Sequence, residues 1–192
     1  DKIRFIYFDA ANTLIHKTQI WLRFTEVLKR HGHNIEIHLL KKHHKLVSEN
    51  VKFPDRTNKQ FYDTFNSLLL NELGIDPTLQ LTEEIFKACS YLPWEPFDDV
   101  KELKSIELPM GIISNFNNTL KQKIETLIKI PFKEFIVSED CHIQKPDVRI
   151  FEFALERIGI EPSSVLYVGD SISLDVEPAL SLGLKACLVD RD

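Results

Sequence analysis

Hydrophobic positions along the chain change their period twice, and the two changes divide it into three stretches. The first apolar run, Ile3-Arg4-Phe5-Ile6-Tyr7-Phe8, is β-branched and aromatic and stops at Asp9, the pattern of a buried central strand. From about Thr18 to Leu92 the spacing turns helical, with Ile20, Trp21, Phe24, Val27 and Leu28, then Leu39, Leu40, Leu46 and Val47. Phe61, Phe65, Leu68, Leu69 and Leu73 continue it, and Leu81, Ile85 and Phe86 close it with Thr82 placed to cap the last helix. About four helices without a strand predict a compact helical insert. Pro93-Trp94-Glu95-Pro96 marks the second change.

Beyond it, strands and helices alternate. A helix over Phe97 to Ile106 leads into the strand Met110 to Ile113, and a helix over Thr119 to Ile128 into the strand Phe135 to Val137. A helix from Arg149 to Ile158, a strand from Val165 to Val168, a helix near Val176 to Leu182 and a strand from Ala186 to Val189 complete the series. Such alternation predicts an α/β fold, a parallel sheet with helices on both faces, built from residues 1–14 and 95–192 around an inserted helical domain at 15–94. Asp9, Ser114 and Asp170 each stand at the C-terminal end of a predicted strand, the edge where open α/β sheets bind ligands.

Composition narrows the functional classes. With 43% apolar and 28% charged residues the chain has enough of both to fold around a core. Its net charge of −5 carries no footprint for nucleic acid or an anionic membrane surface. No apolar run approaches the length of a membrane span. Cys89, Cys141 and Cys187 have neither CxxC nor metal-site spacing and read as reduced thiols. The chain opens without a basic, apolar leader and without an initial Met, and a cytoplasmic location is the expectation. The pattern carries no signal for oligomeric state.

Four segments carry the candidate chemistry: Phe8-Asp9-Ala10-Ala11-Asn12-Thr13-Leu14, Ile113-Ser114-Asn115, Lys145-Pro146, and Gly169-Asp170-Ser171 with Asp175. In this order they resemble motifs one to four of the haloacid dehalogenase superfamily, whose fold is a Rossmann-like three-layer core with a helical type 1 cap inserted after motif one. Ser114-Asn115-Phe116, Gln144-Lys145-Pro146-Asp147 and Val168-Gly169-Asp170-Ser171 further resemble subfamily IA and its Rhythm-gene-2-like branch. The resemblance implies a hydrolase in which Asp9 is the nucleophile, Mg²⁺ is held by Asp9, Asp170 and the main-chain carbonyl of Ala11, and the substrate is a small phosphorylated metabolite. It also implies catalytic roles for Ser114 and Lys145, substrate contacts from Thr13 and Asn115, and support from Asp175. The residue types suit that chemistry. A rigid carboxylate can act covalently, a hard cation takes paired carboxylates, and a lysine with a serine offers charge and a donor to a phosphoryl group.

Two departures from the family pattern bear on this reading. Asn12 stands where the family usually has Gly, and Asn tolerates the left-handed backbone such a turn needs. Ala11 stands where phosphatases of the family carry a second aspartate that protonates the leaving alcohol. General acid help is commonly worth about 10² to 10⁴ in rate, so alkyl phosphates should lag behind substrates with good leaving groups. His16 is the first candidate for a stand-in acid, although a solvated histidine is the plainer reading. Ala11 leaves two other functions open: a metal-independent 2-haloacid dehalogenase, with Arg23 in the region of its carboxylate-binding arginine, and a catalytically weak binder of a phosphorylated ligand or partner protein. Of the insert's side chains, Trp21, Phe24, Phe61 and Phe65 read as core, and His31, His33, His38, His43 and His44 as a solvated face.

Overall fold

The computed structural model describes residues 2–191. Five parallel strands form the central sheet in the order β5-β4-β1-β6-β7: β1 (Phe5–Phe8), β4 (Met110–Ser114), β5 (Glu134–Val137), β6 (Val165–Gly169) and β7 (Lys185–Leu188). β1 lies in the middle, paired with β4 on one side and β6 on the other, so every residue from Phe5 to Phe8 is buried. That double burial explains the unbroken apolar run, since neither face meets water. The chain runs outward from β1 through β4 to β5, then returns to the other side of β1 for β6 and β7. The reversal falls at the C-terminal end of β1, immediately before Asp9, the position at which open α/β sheets bind ligands.

Helices α5 (Leu120–Leu127), α6 (Ser138–Cys141), α7 (Arg149–Ile158) and α8 (Glu177–Ser181) connect the strands. Phe5, Tyr7, Ile113, Ile136, Ile150, Phe151, Val165 and Tyr167 share one buried cluster beneath them. Two expected helices differ in form. Asp98–Ser105 is a 3-10 helix, and only Val100 of it is buried, so no apolar stripe holds a wider turn. The helix expected near Val176 opens instead with a π turn over Ile172–Val176, in which the Asp175 side chain is buried. No described helix is long and apolar enough to cross a membrane.

The chain separates into two compact units, one holding the residues up to His16 with Glu95–Arg191 and the other Lys17–Trp94. In the first, strand β2 (Ile15–His16) pairs antiparallel with β3 (Glu95–Pro96), and the Phe97 amide donates to Leu14 O at 3.0 Å. This ribbon draws together the two places where the chain leaves and re-enters the sheet unit. It was not legible as strand, being two residues long on each side.

The second unit is four helices: α1 (Ile20–Arg30), α2 (Ile37–Asn50), α3 (Lys59–Glu72) and α4 (Leu79–Cys89). Phe24, Val27, Leu28, Leu40, Phe65, Leu69, Leu81 and Ile85 are its core, with Trp21 and Phe61 packed against them, as the period requires. Thr82 does not cap α4. The cap is Thr78, whose hydroxyl accepts from the Leu81 amide, while the buried Thr82 hydroxyl donates back to Thr78 O and Leu79 O. His44 also departs from the solvated face expected for it. Its ring sits between Trp21 and Phe65, with ring centroids 5.0 Å away in each case.

Packing against those rings pushes the His44 imidazole down to about 4, because the imidazolium would lose water there. Below the ordinary histidine value the unfolded chain therefore takes up a proton that the folded chain refuses. The resulting stability is intact above about pH 6.5 and is lost as pH falls toward 4. Urea unfolding at pH 7 and pH 5 should show the midpoint falling on acidification, and falling less in His44→Leu. Equal falls in both proteins would contradict the buried neutral imidazole.

Candidate active site

The carboxylate of Asp9 leaves the end of β1 at the sheet's reversal point, and its amide is fixed by donation to Val168 O at 2.8 Å. The chain turns sharply behind it. Ala10 O accepts from the amides of Leu14 and Ile15 at 2.9 and 3.0 Å, and Asn12 donates to Ile15 O at 2.7 Å. Asn12 takes φ 61°, the left-handed conformation expected of it, so the turn survives without glycine.

Lys145 organises the site. Its ammonium donates to Asp9 Oδ1 at 2.8 Å, to Asp175 Oδ1 at 2.5 Å and to the Tyr167 hydroxyl at 3.0 Å. An ammonium has three protons, and these three acceptors take one each. Lys145 is 5% exposed, Asp9 6% and Asp175 1%, so water does little of this work. Burial alone would drive the Lys145 proton off, but Asp175 and Asp9 together override it and hold the ammonium above the usual lysine range. Burial pushes the Asp9 carboxyl up; Lys145 opposes that shift and the charge of Asp175 adds to it.

Asp175 is held as firmly. Its Oδ2 accepts from the Ser171 amide at 3.0 Å, and the Ser171 hydroxyl in turn accepts from the Leu174 amide. Gly169 makes room for it: a Cβ there would lie 2.4 Å from Asp175 Cγ. Ser114, the last residue of β4, donates its hydroxyl to Asp9 Oδ1 at 2.9 Å, so in this state it steadies the carboxylate. Thr13 reaches Asp170 Oδ1 at 3.5 Å.

The donor set fits a hard divalent cation. Asp9, Asp170 and Asp175 bring one carboxylate oxygen each to within 4.8 Å of one another. Those three carboxylates face one ammonium, which leaves two negative charges among the four groups when all are ionised, an excess that a divalent cation would offset. Oxygen donors and no thiolate or imidazole among them suit Mg²⁺.

The fold brings Asp9, Ser114, Lys145, Asp170, Asp175 and Thr13 together through these contacts. Asn115 is tied to Lys145: its side-chain amide donates to Lys145 O at 3.0 Å and its Oδ1 accepts from the Lys145 amide at 2.8 Å, a two-bond clamp on the main chain that presents the lysine. Ala11 lies in the turn and offers only main-chain groups. The ring of His16 stacks on Phe97, with centroids 3.8 Å apart and planes 11° from parallel, which gives it a packing partner in the ribbon. Arg23, on α1, is exposed and bonded to Glu26 and Gln19. Tyr167 escaped sequence reasoning because, in a buried strand, a tyrosine looks like any other aromatic. Its hydroxyl lies 3.0 Å from both Ile113 O and Asp175 Oδ1, and burial keeps it protonated well past the usual phenol range.

Residues 6–189 match the family described as haloacid dehalogenase-like hydrolase. Among curated proteins, the chain is 37% identical over 108 residues to haloacid dehalogenase-like hydrolase domain-containing protein 3 of Danio rerio, covering 54% of this chain and 45% of that one. It is 37% identical over 95 residues to a glyceraldehyde 3-phosphate phosphatase of Methanothermobacter thermautotrophicus, covering 47% and 41%. To an (S)-2-haloacid dehalogenase of Pseudomonas putida it is 31% identical over 121 residues, covering 59% and 53%. The matched segments thus span about half the length of these relatives. The fold is shared with the magnesium-bound HAD-hydrolase YfnB from Bacillus subtilis, at a TM-score of 0.68 and 20% identity over all of this chain and 91% of that one.

Gly169→Ala tests the buried cluster without replacing a charged group. The added methyl must displace the Asp175 carboxylate, and urea unfolding should register a loss of about 1–3 kcal/mol, the usual cost of overpacking. A change below about 0.5 kcal/mol would mean that Asp175 is free to move aside.

Proposed function

The chain belongs to the haloacid dehalogenase-like hydrolase family, and we propose that it is a Mg²⁺-dependent phosphatase acting on a small phosphorylated metabolite through an aspartyl-phosphate at Asp9. The observation that carries this reading is the convergence of three carboxylates, Asp9, Asp170 and Asp175, within 4.8 Å of one another against one ammonium, an excess of charge that a cation would offset and that a metal-independent dehalogenase has no use for. Asp9, Asp170 and the Ala11 carbonyl would hold Mg²⁺, whose charge, when bound, offsets the repulsion between the carboxylates and the substrate phosphate.

An Asp9 carboxylate oxygen attacks phosphorus, the bond from phosphorus to the leaving oxygen breaks, and the alkoxide departs. Water then hydrolyses the acyl phosphate, releasing inorganic phosphate and restoring the carboxylate. Lys145 neutralises charge passing from Asp9 to the transferring group, and Ser114 turns its hydroxyl from Asp9 Oδ1 to a phosphoryl oxygen. Thr13, beside Asp170, and Asn115, which also clamps Lys145, would supply further substrate contacts. The helical unit Lys17–Trp94 is the cap that selects the substrate, and a cytoplasmic enzyme on small metabolites is the setting that fits.

Ala11 favours a second reading. A halide leaves without protonation, so a 2-haloacid dehalogenase needs no acid at that position.

An aryl phosphate assay with and without Mg²⁺, run beside Asp9→Asn, separates the two. Metal-dependent phosphate release that the variant loses is the expected result, with alkyl phosphates slower by about 10² to 10⁴ because Ala11 supplies no proton. Chloride release from a 2-chloroacid in the presence of a chelator, without phosphate release, would overturn it in favour of the dehalogenase.

A further inference from the structure

Tyr167 is a buried polar group at this site for which the proposed chemistry has no task. It is 1% exposed and stands on β6, yet its hydroxyl reaches Ile113 O on β4, so the side chain crosses the end of β1 directly behind Asp9. A phenylalanine would fill the same space against Phe151, whose ring lies edge-on at 5.0 Å. What the hydroxyl adds is an acceptor for Lys145 at 3.0 Å, the third that its ammonium requires.

We infer that Tyr167 is a positioning residue for Lys145, its hydroxyl oxygen being the fixed third point that keeps the ammonium aimed at Asp9 through the reaction. The need arises at the covalent step. When an Asp9 oxygen bonds to phosphorus its charge moves to the transferring group, and the ammonium loses much of its hold there. Asp175 and Tyr167 then retain it: Asp175 is anchored by the Ser171 amide, and Tyr167 by donation to Ile113 O or Asp175 Oδ1. With Phe at 167, one ammonium proton faces a site closed to water without an acceptor, and the lysine settles on two points instead of three.

Tyr7 supplies a control. Its phenol is equally buried and donates to Ala154 O at 2.9 Å, so Tyr7→Phe removes a comparable bond that does not involve Lys145. The kinetic arm of the test rests on the phosphatase reading, and the spectroscopic arm does not.

The experiment compares the whole chain with Tyr167→Phe and Tyr7→Phe by ¹⁵N NMR of the Lys145 ammonium, assigned with Lys145→Met, and by Mg²⁺-dependent aryl phosphate turnover. In Tyr167→Phe the ammonium protons should exchange with water about tenfold faster or more. There kcat should fall about 10- to 100-fold, with KM within about twofold, the size of a lost hydrogen bond to a charged group. Tyr7→Phe should leave both readouts unchanged. Ammonium exchange unaltered by Tyr167→Phe, or a loss carried by KM, overturns the inference. If the unsubstituted chain releases no phosphate, the phosphatase reading fails and ammonium exchange alone decides this one. Should Tyr167→Phe fail to fold, a nuclear Overhauser contact between the Lys145 ammonium and the Tyr167 ring in the unsubstituted chain decides it, and its absence overturns the inference.

Discussion

One ammonium with three buried acceptors fixes the relative positions of β1, β6 and the segment before α7. Lys145 meets Asp9 at the end of β1, Asp175 in the turn after β6, and Tyr167 within β6 itself. Its own main chain is clamped by Asn115, which follows β4. Four separate pieces of sequence are thereby held to one point. Moving Asp9, Asp175 or Lys145 away leaves a buried charge without its partner, which typically costs about 3–5 kcal/mol.

Buried ion clusters of this kind are weak evidence of stability, because desolvation consumes much of what attraction returns. An all-apolar cluster would hold these strands together as well. What the ions provide is a carboxylate that cannot turn away, set among more negative charge than the lysine neutralises. Burial pushes the Asp9 carboxyl up and the charge of Asp175 adds to it, and under the proposed function that excess of negative charge is what a bound cation would offset. Folding cost and function are two sides of that imbalance. The raised lysine works with this design: it remains charged at any physiological pH, and the positive point beside Asp9 is permanent.

Where a residue's role follows from its place at a strand end, the sequence was readable. Asp9, Ser114 and Asp170 each end a hydrophobic run, and the order of those runs is enough to predict a parallel sheet with its polar edge on one side. Asn12 was readable for the same reason, a turn requirement that few residues meet. Roles set by side-chain direction were not. Asn115 follows Ser114 on the strand-end loop, but its amide turns to the Lys145 main chain, and nothing in its spacing says so. Tyr167 and His44 are aromatic residues in apolar surroundings whose polar atoms matter, and periodicity treats each as one more position. Thr78 and Thr82 sit one turn apart at the start of α4, and only the observed start of the helix tells which of them caps it. The ribbon of β2 and β3 is held by long-range pairing across the helical unit's whole sequence, a contact without local pattern.

The most direct test of Asp9 as a nucleophile beside a cation is its capture of beryllofluoride, which forms an adduct only with a carboxylate poised like that of an acyl phosphate. Fluorine NMR of the folded chain should show one bound set of resonances per chain that requires Mg²⁺ and is missing in Asp9→Asn. A folded chain that binds no beryllofluoride at saturating Mg²⁺, or binds it equally well in Asp9→Asn, would contradict the covalent role of Asp9.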